Sequence, residues 1–425
     1  MVVKCSGKFS WPVSVWSPGV EVEVEQESGQ LKIAIPPDLA ADRVWIRLYN
    51  GEGASAALPF LVGSLPEVDE KEPNNSLPTA LPLFPSGWTV NGRLEGTDVD
   101  GFAIPLEEGD TLVAVLDAHD ALGSPMDAML QVVSPDGVVV AENNDDIDLD
   151  PRLTYTAATT GTHVVRLFAF SSTPNTGISF RGGSNFIYRL TLTTGPYITH
   201  AAPLAVENGQ PGTVEPRGWN VPAGLRLPVV PLGEGSAPNV AEFETVADLR
   251  SSHDAALGFA FAPTMAGGAR IRLVDHSVAP GIVSGDEKQP YELNLPATVT
   301  GRLGAEEQTD HFRIPLKKGD ALVVSVETRS LGFPLDPLLK LADPAGATAA
   351  EFDNIAPARA SILTHTAAQD GDYRLTVSDR TRLGGERSWY RLTARLEAAD
   401  FELSAVADSI VVSPNKPTEF PINVL

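Results

Sequence analysis

The chain of 425 residues has one cysteine, Cys5. No intrachain disulfide and no thiolate metal cluster can therefore form, and a lone cysteine near one end is assigned no role. Basic residues are also scarce, with 31 Lys and Arg against 55 Asp and Glu and a formal net charge of −24. That balance argues against nucleic-acid binding, because a phosphate-binding surface needs a basic patch. It suits solubility outside the cell and the binding of cations, and equally a solvated surface with no partner. No apolar run approaches the length that spans a membrane, so membrane insertion is not expected. The opening MVVKCSGKFSWPVSVW has neither the continuous apolar stretch nor the cleavage site of a signal peptide.

Catalytic motifs are missing too. The histidines, His119, His163, His200, His253, His276, His311 and His365, form no HExxH pattern and show no zinc spacing. There is no GxSxG elbow, no P-loop and no GxGxxG after a strand. A glycosidase needs only two carboxylates set across a cleft, and acidic residues are plentiful, but no pair stands out from the turns. Asp127 in SPMD and Asp336 in FPLD each follow a proline at a strand entry and read as turn caps. No enzyme is expected.

What the sequence does have is glycine (37) and proline (35), together above the roughly 12% usual in globular chains. Such a chain favours many turns and short elements. It also has an internal repeat. VNGRLEGTDVDGFAIPLEEGDTLVAVL from Val90 matches VTGRLGAEEQTDHFRIPLKKGDALVVSV from Val299, with one inserted residue. The match continues through LGSPMDAMLQVVSPDG and LGFPLDPLLKLADPAG, and it closes at YRLTL from Tyr188 and YRLTA from Tyr390. A period this long means two copies of a domain separated by something else, not a solenoid.

Each copy reads as all-β. DGFAIPL, TLVAVLDA, AMLQVVS, GVVVAEN, RLTYTA, THVVRLFAF and FIYRLTL are short runs rich in β-branched and aromatic residues. Turn signals such as EEGD, SPDG and TTGT separate them. This pattern predicts an antiparallel jelly-roll sandwich. Between and before the copies, shorter strand-turn-strand patterns predict smaller Ig-like β-sandwiches. The expected order is an incomplete Ig-like domain over 1–66, a large sandwich over 67–195, an Ig-like domain over 196–285, a second large sandwich over 286–397, and the start of a further β domain over 398–425. The chain reads as a piece of a longer protein.

The repeated block resembles the bacterial pre-peptidase C-terminal (PPC) domain family, which includes collagen-binding domains of collagenases. The resemblance rests on EKEPNN at Glu70–Asn75, GRLEGTDVDGFAI at Gly92–Ile104, the hairpin run around Gly109, GTHVVRL from Gly161 and YRLTL from Tyr188. It spans Glu70 to about Thr194, and again about Glu287 to Leu396. The resemblance implies a jelly roll without catalytic residues of its own. In calcium-binding members an N-terminal acidic segment and an acidic turn supply the ligands. Carried over, these are Glu70, Glu72 and Asn74, with Asn75 where some members have Asp, together with Asp100 and, as the weaker match, Asp98.

Hard oxygen ligands of this kind suit Ca2+, which takes six to eight of them. Magnesium's stricter octahedron and zinc's preference for His and Cys make both less apt. In an extended segment Glu70, Glu72 and Asn74, two apart, would share one side, with Pro73 keeping it stiff. The plainer alternative is a set of solvated linker and turn carboxylates. In the second copy the aligned segment is DEKQPYE, Asp286 to Glu292, with Gln289 for Glu72 and Tyr291 for Asn74. Asp310 matches Asp100, while Asp98 has no clear counterpart, so the second copy is expected to bind Ca2+ weakly or not at all. A further acidic run, ENNDDIDLDP (Glu142–Pro151), lacks the glycine and glutamate of an EF-hand loop and reads as a solvated loop.

The expected function is that of a non-catalytic, calcium-stabilised binding or adhesion region of a larger secreted bacterial protein, outside the cell or at its surface, with the periplasm as an alternative. Fibrous protein or polysaccharide is the expected partner. An accessory region of a secreted protease, its catalytic domain elsewhere, is the second reading, and a stand-alone hydrolase with an unrecognised site the third.

Overall fold

The computed structural model describes residues 2–5, 10–26, 29–37, 39–84, 87–173, 179–232, 257–353, 360–397, 403–405 and 417–424. Among these the only α-helix is the single turn His119–Leu122, and the fold is all-β. Two jelly-roll sandwiches alternate with two smaller sandwiches.

The first large sandwich packs two five-stranded sheets face to face. One runs Arg152–Thr156, Thr111–Asp117, Ile187–Thr193, Trp88–Arg93, Glu67–Asp69. The other runs Val139–Asn143, Met126–Val133, Gly161–Ser171, Asp100–Leu106, Leu81–Pro82. Counted from Trp88–Arg93, the eight main strands lie in the orders 6-3-8-1 and 5-4-7-2, which is jelly-roll topology. The second large sandwich repeats both orders strand for strand, from Val278–Ile282 to Trp389–Leu396. Each encloses its own apolar core, around Phe102 and Leu130 in the first and Phe312 and Leu339 in the second.

Local patterning accounts for the faces. Met126–Val133 alternates buried and half-buried residues, as a strand with one inward face should. Thr111–Asp117 is buried on both faces instead. Its outward Val113 and Val115 pack against Tyr197 and Ala266 of the second small sandwich.

That small sandwich joins the four-stranded sheets Leu227–Pro228, Thr213–Trp219, Tyr197–Ala202, Ala266–Gly267 and Ala205–Glu207, Ala269–Val274, Leu257–Ala260, Val230–Pro231. It is wedged between the two jelly rolls. Toward the first, Asn220 donates to the backbone oxygens of Thr111 and Thr194. Toward the second, Leu204 N–H donates to Thr300 Oγ1 at 2.8 Å, and Arg272 and Arg391 share the carboxylate of Glu327. The first small sandwich is tied in by a bidentate pair between Arg270 and Asp42, at 3.1 and 3.0 Å.

One expected boundary moves. The strand Val278–Ile282 falls in the stretch assigned to the Ig-like domain, yet it pairs in parallel with Ala297–Arg302 and belongs to the second jelly roll. Its extended VAPGI carries no alternation to mark its allegiance. At the C-terminal end, Leu403–Ala405 and Ile422–Val424 form a two-stranded ribbon. Of the rest of 398–425, only residues 417–421 are described, and they form no strand.

Candidate metal centre

The strand Glu67–Asp69 runs parallel to Trp88–Arg93 and is held there by Glu67, whose carboxylate accepts from Arg189 at 2.8 Å and from Asn91 at 2.9 Å. The chain then leaves the sheet, with Glu70 N–H donating to Asn91 O as its last rung. Asp100 opens the neighbouring strand in the opposite sheet, two residues before the core residue Phe102. The segment after Glu70 lies across this opening. Gly101 permits that contact: a Cβ there would stand 2.9 Å from the backbone oxygen of Asn74.

Three carboxylates meet at this point. Ligand-capable oxygens of Glu70, Glu72 and Asp100 all lie within 4.8 Å of one another, the only such acidic, His or Cys group among the described residues. Beneath them is Tyr188. Its hydroxyl lies 2.6 Å from Glu70 Oε2 and 2.5 Å from Asp100 Oδ2. The hydroxyl has one proton and can satisfy only one of the two acids. Glu70 Oε1 also accepts from Arg93 N–H at 2.7 Å, and Glu72 Oε2 from Asn74 N–H at 3.0 Å.

Several buried polar atoms of the site lack partners. Asp100 and Asn74 are both fully buried, and Asp100 Oδ1, Asn74 Oδ1 and Asn74 Nδ2 have no hydrogen-bond partner. Buried polar atoms without partners are rare and costly. The electrostatics follow. Burial, then the neighbouring Glu70, pushes the Asp100 carboxyl up to about 9, against the opposing pull of the Tyr188 hydrogen bond. Burial, with the charges of Asp98 and Glu70 behind it, raises Glu72. Burial, then the carboxylates of Asp100 and Glu70, raise the Tyr188 phenol. With no cation present, the cluster must keep a proton.

Of the residues expected from sequence, Glu70, Glu72 and Asp100 are brought together and Asn74 lies buried beside them. Asn75 and Asp98 stand outside the group. Asn75 is exposed and its amide donates to Asp98 Oδ1, which also accepts from Val99 N–H at 2.9 Å. The expected single extended face is not formed. The strand ends at Asp69, and Glu72 is exposed while Asn74 is buried. Tyr188 was not singled out, although its recurrence as Tyr390, with Asp310 recurring for Asp100, carried the signal.

The second copy resolves the same position differently. Tyr390 donates to Asp310 Oδ2 at 2.5 Å, as Tyr188 does to Asp100. Asp310 Oδ1, however, accepts from Ser284 Oγ at 2.8 Å and from Gln308 Nε2 at 3.0 Å. Gln308 stands two residues before Asp310, where the first copy has Asp98 before Asp100. The sequence alignment of DEKQPYE with DEKEPNN does not survive in space. Val283 N–H bonds Thr300 O as Glu70 N–H bonds Asn91 O, so Val283 takes the place of Glu70 and Asp286–Glu292 lies further along. Identical letters misled the alignment because backbone pairing, not side-chain identity, sets the register.

Other candidates have structural employment. Asp150 is buried, and its carboxylate accepts the N–H groups of Ala118, His119 and Asp120. Asp146 pairs with Arg387 of the second jelly roll. The run Glu142–Pro151 is therefore a bracket between elements, not a merely solvated loop. Asp127 lies within its strand, and Asp336 pairs with Arg380 at 2.9 Å, so neither caps a turn. His163 fills the interior against Tyr155, with ring centroids 5.4 Å apart. His365 faces Tyr373 at 5.6 Å in the second copy, with the two ring types exchanged between strands. His253 lies outside the described residues.

No family model matches the chain, and no curated protein matches it. Among solved structures it is similar to the pre-peptidase C-terminal domain of a collagenase from Bacillus anthracis, at 18% identity over 25% of this chain and 95% of that one, with a TM-score of 0.22. It is similar also to the g-type lysozyme inhibitor PliG of Aeromonas hydrophila, at 11% identity over 30% of this chain and 96% of that one, with a TM-score of 0.20. A Clostridium perfringens structure comprising an M60 catalytic domain and two CBM51 domains matches at 8% identity over 92% of this chain and 56% of that one, with a TM-score of 0.18. At these TM-scores the likeness assigns neither fold nor role, and the β-sandwich fold is read from the strand order itself.

Proposed function

We propose that the chain is a non-catalytic binding region of an extracellular protein, built on two PPC-like jelly rolls, and that the first of them is stabilised by one Ca2+ held by Glu70, Glu72 and Asp100 with Asn74 beside them. The observation that carries this is the pair of fully buried residues, Asn74 and Asp100, with oxygens that no donor satisfies, next to two further carboxylates. A cation supplies what the proton now supplies and removes the repulsion between acids. The donor set is all hard oxygen, which favours Ca2+ over Zn2+. The second jelly roll supports the reading by contrast, because Ser284 and Gln308 give Asp310 the contacts that a cation would give Asp100.

Isothermal titration tests this. One Ca2+ should bind per chain, and Glu72→Ala should weaken binding with little effect on the fold, since Glu72 is exposed. No heat with Ca2+, or unchanged binding in Glu72→Ala, would sink the proposal.

Binding of a macromolecular partner is the wider part of the reading. The exposed Trp and Tyr among the described residues are Trp16 and Tyr49, on paired strands of the first small sandwich. Among the described residues neither jelly roll exposes a Trp or Tyr, and the exposed aromatic of the first is Phe84, just past the strand Leu81–Pro82.

A further inference from the structure

Four sandwiches meet around one cleft of about 1820 Å3. Its lining departs from the rest of the chain. Ten arginines and no lysine face it, against nine Asp and Glu, whereas the whole chain has 31 basic and 55 acidic residues. A protein of net charge −24 therefore turns a third of its cations toward one cleft, whose lining is close to charge balance. Six of these arginines are held by carboxylates: Arg189 by Glu67, Arg217 by Glu215, Arg270 by Asp42, Arg387 by Asp146, and Arg272 and Arg391 by Glu327.

Three are not. Arg152, from the first jelly roll, has a buried Nε with no hydrogen-bond partner. Arg302, from the second, lies over the ring of Trp389 at 5.5 Å. Arg329 is exposed on the turn Arg329–Leu331, also of the second jelly roll. Asp117, beside Arg152, is pushed up to about 6 by burial, and Asp120, Asp145, Asp148 and Glu386 also line the cleft. The half-buried Trp219 and Phe261 of the small sandwich add aromatic walls.

From this juxtaposition we infer that the cleft between the jelly rolls binds an acidic polysaccharide, with Arg152, Arg302 and Arg329 gripping its carboxylates or sulfates and Trp219 and Phe261 lying against sugar faces. The guanidinium fork matches such groups bidentately, which a lysine does not. The volume exceeds the roughly 300–1,000 Å3 of a small-molecule pocket and suits several linked rings. A nucleic acid, with one charge per roughly 1.7 Å of duplex, would meet the repulsion of the −24 body at every phosphate. A polyuronate has about one charge per sugar and meets far less.

The inference does not rest on the calcium site. Hexagalacturonate, maltohexaose, poly-glutamate and single-stranded DNA are titrated into the full chain at low salt without added Ca2+. Hexagalacturonate should bind and weaken as salt rises, and maltohexaose should not. Arg152→Gln/Arg302→Gln should weaken binding by about tenfold or more, as expected for loss of two charge-assisted forks, with the melting temperature and Ca2+ stoichiometry unchanged. Adding Arg329→Gln, an exposed residue whose loss leaves folding intact, should weaken it again. Absence of hexagalacturonate binding, equal binding of maltohexaose, tighter binding of poly-glutamate or DNA, or full affinity in the variants would each overturn it.

Discussion

At the scale of the residue, the decisive group is Asp100. Its carboxyl keeps a proton in the folded state up to about pH 9, whereas an unfolded aspartate loses it near its ordinary value of 3.8. Between those limits the folded chain binds more protons than the unfolded one. Stability without metal must therefore fall as pH rises from about 4 to 9. Calcium competes with that proton, so calcium affinity must rise with pH over the same window. Melting in EDTA at pH 5 and pH 8.5 should show the loss, and Asp100→Asn should flatten it and raise stability at the higher pH. A wild-type curve that climbs with pH through this range would contradict the assignment. The acid was visible in the sequence, and so were Glu70 and Glu72. The Tyr188 hydroxyl beneath them was not, because a tyrosine in a strand reads as core until its oxygen has a partner.

At the scale of the element, the two copies share a requirement that spacing alone hides. Gly92 and Gly301 lie opposite Tyr188 and Tyr390 in the paired strands. A Cβ at Gly92 would stand 2.2 Å from the ring of Tyr188, and one at Gly301 2.0 Å from that of Tyr390. These glycines let each tyrosine fold across its neighbour to reach the aspartate. Gly92→Ala and Gly301→Ala should each lower stability by about 1–3 kcal/mol, the range for overpacking a filled core, read from urea unfolding. A neutral effect at either would mean that the tyrosine can move aside. The strands themselves were legible in outline, since apolar alternation and Gly-Asp turns mark them. The counterpart of Glu70 was not. DEKQPYE shares letters with DEKEPNN, but the ladder places Val283 there, and a ladder is a property of pairing that one strand's sequence does not contain.

At the scale of the whole molecule, the middle sandwich is fastened to the second jelly roll by an ion-pair joint. Glu327 is the clearest joint: nearly buried, it takes guanidinium groups from Arg391 of its own sheet and Arg272 of the neighbouring sandwich. Glu327→Ala leaves two arginines at a buried interface without their acid. It should cost about 3–5 kcal/mol and split unfolding of the second jelly roll from that of the small sandwich in scanning calorimetry. A single unsplit transition at the wild-type temperature would show that the joint is not needed. The alternation of large and small sandwiches was readable from the 299-to-90 repeat. The wedge was not, because the outward valines of TLVAVLD look like core from the sequence and are core only between domains.

These scales meet in one asymmetry. The first jelly roll leaves Asp100 to a cation, while the second satisfies Asp310 with Ser284 and Gln308. Scanning calorimetry of the intact chain in EDTA and in rising Ca2+ tests it directly. Calcium should move the transition of the first jelly roll upward with the logarithm of its concentration, as binding to the folded state alone requires. The transition of the second should stay fixed, and Asp100→Asn should abolish the shift. Equal shifts in both transitions, no shift in either, or a shift that survives Asp100→Asn would contradict the account.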